Sequence, residues 1–190
     1  MRAPLRPIVA GALGLGFAAA LAMSAPASIE DYADGLKGPA ARAVDRYLHA
    51  TYEECVVYTE PAPPKPRTYR ELHCPLAQHT ESLSISYGRF PHDSHDYAVA
   101  FIAYAHDVSA QVLYRFAIVF RRGASGTYAA VGRTIAGGAP LRVRFGPNHT
   151  ISYVGLSVGP KDATCCPTRK DTYKVVVGDR GVRSVDPWGR

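Results

Sequence analysis

The 190-residue chain is short of the groupings that announce a reaction. It has no Cys-x-x-Cys pair, which excludes a thioredoxin-like dithiol and the paired spacing of a zinc ribbon. It has no Cys-Gly-x-Cys-Trp segment, which excludes a papain-type thiol protease, and no glycine loop ending in Lys-Ser/Thr to cradle phosphates. A Gly-x-Ser-x-Gly elbow carrying a serine–histidine–acid frame is not expected either. His106-Asp107 and His73-Cys74 are neighbours in sequence, which is not the geometry that a base and a nucleophile need. Tryptophan occurs once, and the aromatic content rests on 12 tyrosines. In strands such tyrosines are half-buried packing residues rather than a stacking platform. With no recognisable binding motif, nucleic acid is not an expected partner.

What is present begins with a leader. Arg2 and Arg6 precede an uncharged Ala/Gly/Leu-rich run over residues 8–23, and Ala25-Pro26-Ala27 supplies a small-x-small cleavage pattern. Residues 1–27 therefore read as a secretory signal peptide. The run is shorter than the ~20 apolar residues of a spanning helix, and no cysteine near the cleavage site offers lipid attachment. The expectation is a periplasmic or secreted protein with no stable membrane anchor after cleavage. About 160 residues would remain, enough for one domain with a real core. Cleavage would also lower the formal charge of +6 by two arginines. Residues 141–190 hold 9 basic and 4 acidic side chains, but Arg142 and Arg144 alternate with Leu141, Val143 and Phe145 as on a solvated strand face.

Residues 28–38 read as a loose lead-in and residues 39–190 as a single α+β domain. Gly38-Pro39 is a helix start, and Ala43, Val44, Tyr47, Leu48 and Thr51 recur at helical spacing. This predicts an amphipathic helix over residues 40–54. Pro61-Ala62-Pro63-Pro64-Lys65-Pro66 can only be an extended connector. Beyond Cys74 the period becomes that of strands. Leu83, Ile85 and Tyr87 alternate with serines, and residues 97–104 and 112–120 are nearly continuous apolar runs suited to strands covered on both faces. Gly123-Ala124-Ser125-Gly126 marks a hairpin into residues 127–133. Strands follow at 141–145, 150–158, 172–177 and 182–185, separated by turn formers. The predicted architecture is one N-terminal helix packed on an antiparallel meander of about seven strands.

All four cysteines, Cys55, Cys74, Cys165 and Cys166, lie in the exported part, where disulfides are the default. Three pairings are open. A Cys55–Cys74 bridge would close a loop of about 20 residues, worth ~3 kcal/mol by loop entropy. Adjacent Cα atoms stand at about 3.8 Å, below the usual disulfide span, so geometry alone favours cross-links from the doublet to Cys55 and Cys74.

Gly159, Pro160, Asp162, Cys165, Cys166, Pro167, Thr168 and the strand residue Tyr173 form an ordered pattern that resembles a group of exported bacterial proteins. These carry a Cys-Cys-Pro-Ser/Thr motif and include the LppP/LprE-type lipoproteins. The resemblance extends back to about residue 83 and implies a small exported α+β domain of no assigned activity. It also implies that the doublet acts as a unit, so that Cys55 pairs with Cys74. Unlike the lipoprotein members, this chain has no lipid-attachment cysteine.

Upstream, residues 88–99 resemble the Gly-Asp-x-Asn-Gly-Asp-Gly calcium loops of exported proteins. Arg89 replaces the first acidic position and Ser94 a glycine, so only Asp93 and Asp96 remain as carboxylates and calcium is not predicted. His92 and His95 beside those aspartates are the alternative, a transition-metal set. The functional expectation is a non-enzymatic binding or structural domain at the cell envelope, needing no cofactor, with an unidentified envelope or extracellular partner. The competing readings are a redox-responsive protein using Cys165 and Cys166, and a metal protein or hydrolase using His92, Asp93, His95 and Asp96.

Overall fold

The computed structural model describes residues 30–59, 68–105, 113–162 and 167–185. The leader, the proline-rich connector and Cys165-Cys166 lie outside them. The described chain is mostly antiparallel sheet with few helices. Its strands are β1 (Glu30–Asp31), β2 (Tyr52–Thr59), β3 (Thr68–Pro75), β4 (Thr80–Gly88), β5 (Tyr97–Ala105) and β6 (Leu113–Arg122). They continue with β7 (Tyr128–Ile135), β8 (Ala139–Gly146), β9 (Thr150–Ser157), β10 (Arg169–Gly178) and β11 (Gly181–Val185). The helices are α1 (Tyr32–Gly35), α2 (Ala41–Ala50) and α3 (Leu76–His79). No described helix is long and apolar enough to cross a membrane.

The helix α2 follows the Gly38-Pro39 turn, with the Ala41 amide donating to the Gly38 carbonyl at 3.1 Å. Ala40, Val44 and Leu48 stand four residues apart on one face and are fully buried. Burying a Val or Leu side chain contributes about 1.5–3 kcal/mol, so this stripe seats the helix on its sheet. The helix ends earlier than its apolar pattern predicts. Thr51 is already extended at φ −109, ψ 131, because a β-branched and aromatic run follows and draws the chain into β2.

The strands form not one meander of seven but three sheets: β1-β4-β5-β6-β7, β11-β10-β9-β8, and a separate ribbon β2-β3. The meander breaks at Gly137-Gly138. Gly138 has φ +65 and a side chain at Gly137 would run into the Tyr173 ring, so the chain leaves the first sheet here and begins the second. The ribbon is the other departure. Its second arm, β3, carries Arg70, Glu71 and His73 and lacks a strand-like apolar alternation. Residues 30–38 are not loose: β1 pairs with β4 through Glu30 and Leu83, and the Tyr32 hydroxyl donates to Asp45 at 2.8 Å.

Every residue of β5 is buried. Ala98, Ala100, Ile102 and Tyr104 enter a core with α2 and β4. Tyr97, Val99 and Phe101 enter a second core with Val143, Ile151, Tyr153, Tyr173 and Val175. The five-stranded sheet therefore has the helix on one face and the four-stranded sheet on the other. This is the two-sided burial that the continuous apolar run 97–104 predicts.

Candidate functional site

The β4–β5 loop and the β8–β9 turn meet at one corner of the second core. Phe90, 2% exposed, anchors the first of them. Its ring sits edge-on to Tyr97, Phe145 and His149, at 4.6, 5.4 and 4.9 Å between centroids. The Asp93 amide donates to the Phe90 carbonyl at 3.1 Å, closing a turn with Pro91 at its second position and His92 at φ 65. Pro followed by a left-handed residue is a type II turn, so His92 serves by its backbone conformation. In the opposing turn, Asn148 and His149 stand at φ 54 and 50, and the Thr150 amide donates to the Pro147 carbonyl at 3.2 Å. Two successive left-handed residues make a type I′ hairpin, where Asn-Gly is the favoured pair. Histidine in the glycine position is a local strain that needs a reason.

That reason is Asp93. Its Oδ1 accepts from the His95 amide at 2.9 Å and from His95 Nδ1 at 2.7 Å. Its Oδ2 accepts from the Tyr97 hydroxyl at 2.9 Å and from His149 Nε2 at 3.1 Å. These donors, the His95 amide foremost, hold the carboxyl far below its ordinary range. Burial and the Asp93 carboxylate in turn raise the Tyr97 phenol. Asp93 is thus a fixed anion that orients two imidazoles, each about half exposed. Together they line an open depression of about 670 Å³ with Arg121, which is paired across the strands with Tyr97, and with Asp179 from the β10–β11 turn.

Of the four residues proposed from sequence as a metal set, Asp93 and His95 come together and the other two do not join them. Asp96 is taken by Arg89, at 2.6 Å, and by Arg122, at 3.3 Å, which fix the loop to the β6–β7 hairpin; both guanidiniums lower its carboxyl. The two imidazole nitrogens that donate to the Asp93 carboxylate, His95 Nδ1 and His149 Nε2, are taken, and the distal nitrogen of each ring is the position left open. His149 is the residue that sequence reasoning missed. Its only local sign is a histidine placed where a hairpin turn wants glycine.

The Gly159–Thr168 stretch also has a visible logic. Asp162 Oδ2 accepts from the amides of Gly159 at 2.8 Å and Thr168 at 2.7 Å, and Oδ1 accepts from the Thr168 hydroxyl at 2.7 Å. Asp162 therefore clamps both ends of the segment that carries Cys165 and Cys166, and these bonds lower its carboxyl. Pro160 and Pro167 flank the clamp. Tyr173 is a core residue, 8% exposed and stacked on Tyr153 at 5.3 Å.

Cys55 and Cys74 are bonded to each other, with Cα atoms 5.8 Å apart across the ribbon. That removes both pairings in which they cross-link to the doublet. Their sulfurs and a His79 ring nitrogen all lie within 4.8 Å of one another, and among the described residues no other His/Cys/Asp/Glu group of three converges so closely.

One nucleophile spacing does occur, Gly155-Leu156-Ser157-Val158-Gly159, contrary to the expectation that no such frame exists. It fails as an elbow on structure. Ser157 ends the antiparallel strand β9 instead of a strand-to-helix turn, and its hydroxyl donates to Asp171 at 2.5 Å. No histidine is bonded to it among the described residues. A second cavity, of about 370 Å³, opens between the sheets beside Phe101, Arg115 and Pro140 without a cluster of titratable groups. No protein family model matches the chain, and neither does any curated protein or solved structure.

Proposed function

We propose that the chain is an exported, non-enzymatic domain that binds an anionic group, on a small ligand or an envelope partner, in the depression around Asp93. The observation that carries this reading is the fourfold bonding of Asp93. Its negative charge is consumed by its own donors, so the groups that face a ligand beside the Asp179 carboxylate are the Arg121 guanidinium and the distal nitrogens of His95 and His149, which donate when the rings are protonated. Carboxylates and phosphates suit such a set. No serine, threonine or cysteine is bonded to either imidazole among the described residues, which favours binding over acyl transfer. Export rests on the leader at residues 1–27 and on the disulfide. Kinship with the Cys-Cys-Pro-Ser/Thr proteins rests on the motif from Gly159 to Tyr173.

The test is a titration of the purified domain with inorganic phosphate and with succinate, followed by NMR of the histidine rings. Saturable shifts of His95 and His149, abolished in Arg121→Gln, are expected. Unmoved histidine signals at millimolar anion would refute the reading. The redox alternative keeps one specific support: with Cys55 and Cys74 paired, Cys165 and Cys166 have only each other. Mass mapping of non-reduced peptides would show a vicinal bridge, and two free thiols would end that alternative.

A further inference from the structure

We propose that Cys55, Cys74 and His79 form a redox-gated site for a soft metal ion such as Zn²⁺ or Cu⁺. Oxidised, the two sulfurs bond each other; reduced, they and the imidazole hold the ion.

Three elements converge here: Cys55 from β2, Cys74 from β3 and His79 from α3. Both cysteines are buried, at 0% and 5% exposure. His79 lies five residues after Cys74, and one turn of helix swings it back over the ribbon. The turn is fixed without help from the disulfide. The Leu76 amide donates to the Thr51 carbonyl at 2.8 Å, and the Thr80 hydroxyl donates to the Leu76 carbonyl at 2.7 Å. The His79 ring also leans on Tyr104, 5.8 Å between centroids.

The independent sign is His79 Nε2, which is buried with no hydrogen-bond partner among the described residues. Buried polar atoms are nearly always paired, so an orphan on a ring that reaches two sulfurs calls for an explanation. A ligand role supplies one.

The geometry permits the exchange. Tetrahedral zinc with Zn–S bonds of about 2.3 Å sets its sulfurs about 3.8 Å apart, against about 2.0 Å in a disulfide. Each sulfur would withdraw by about 0.9 Å while the Cα atoms stay in place. Three protein ligands leave the fourth position open to water or to a ligand from outside the chain.

The chemistry balances through thiol–disulfide exchange with a dithiol protein. A donor thiolate attacks one sulfur of the Cys55–Cys74 bond, and the donor's second thiol resolves the mixed disulfide. The donor leaves oxidised, and two electrons and two protons remain on Cys55 and Cys74. The ion then displaces both thiol protons. A disulfide-donating partner reverses the process: it accepts the two electrons, the Cys55–Cys74 bond re-forms, and the ion is released.

The experiment uses the full chain with Cys165→Ser and Cys166→Ser, which removes the other thiols. Reduced with a phosphine, it is titrated with Co²⁺ as a spectroscopic probe and then with Zn²⁺. One Co²⁺ per reduced chain is expected, with a thiolate-to-cobalt charge-transfer band that Zn²⁺ abolishes, and none per oxidised chain. His79→Gln should keep the sulfur band but weaken binding by about tenfold or more. No band in the reduced chain, equal binding by the oxidised chain, or unchanged affinity in His79→Gln would overturn the proposal. Should the reduced apo chain lose its circular dichroism, metal must restore it, as in other domains that fold on metal; failure to do so overturns the proposal equally.

Discussion

Replacing Asp93 with asparagine tests the corner where the two loops meet. The substitution keeps the shape of the side chain and one accepting oxygen, but turns the other oxygen into an amide that faces donors. Half of the four bonds are lost. The two imidazole partners are each 48% exposed, and pairs so close to solvent contribute only ~0–1 kcal/mol. The Tyr97 hydroxyl is different. Its residue is 4% exposed, and trading a charged acceptor for a neutral amide at a buried hydroxyl costs about 1–2 kcal/mol. Asp93→Asn should therefore lower stability by about 1–3 kcal/mol near neutrality. Urea unfolding followed by circular dichroism would show this as a lower midpoint at an unchanged slope.

The sign of the pH effect follows from the lowered carboxyl. Asp93 contributes its stabilisation in full above the unfolded carboxyl value of about 3.9, and loses it as pH falls towards the folded value. The gap between wild type and variant should be widest near neutrality and narrow by about pH 3. The lowered carboxyls of Asp96, Asp162 and Asp171 are common to both proteins and cancel in the difference. Equal midpoints near neutrality, or a gap that persists in acid, would refute the reasoning.

The disulfide gives a second expectation: Cys55→Ala with Cys74→Ala should cost about 3 kcal/mol from the chain entropy of a 20-residue loop and lower the melting temperature by roughly 6–12 °C in a scanning calorimeter. Leu48→Ala, at a fully buried helix position, should cost about 2–5 kcal/mol in the same measurement, and a loss below 1 kcal/mol would mean that α2 is not seated as described. Asp162→Ala should release the amides of Gly159 and Thr168 to rapid hydrogen exchange while leaving β5 protected; unchanged exchange would show the clamp to be unnecessary. His149→Gly relieves the left-handed strain of about 1 kcal/mol and loses one exposed bond, so stability should hold within about 1 kcal/mol while the anion-induced shift of His95 weakens.

Strands were the legible part of this chain because their signal is local. The apolar run at 97–104 and the turn formers at Gly123–Gly126 and Gly146–His149 mark β5 and two hairpins within a residue or two of their places. The division into sheets was not legible. Gly137-Gly138 reads equally as a hairpin turn or as a passage from one sheet to the next, and only the Tyr173 ring of β10, packed on Gly137, decides between them. The strand β3 escaped because its pairing with β2 supplies what its composition does not. At the site, Asp93 and His95 share a loop and could be proposed together. His149 joins them across 56 positions, a distance over which a single sequence carries no pairing information. Asp96 stands apart from that pair because Arg89 and Arg122 hold it.

The placement of β5 bears on how the molecule can come apart. Its alternate side chains belong to different cores, so neither core can loosen without withdrawing support from a strand on which the other depends. Partial opening is thereby confined to the margins, to the ribbon, the turns and the outer strands. The amides at the middle of β5 should exchange with solvent only through complete unfolding, and at the same free energy whichever core a perturbation first strikes. A polar substitution at any of its nine positions should be felt by the whole sheet structure, which makes this strand the least forgiving stretch of the chain.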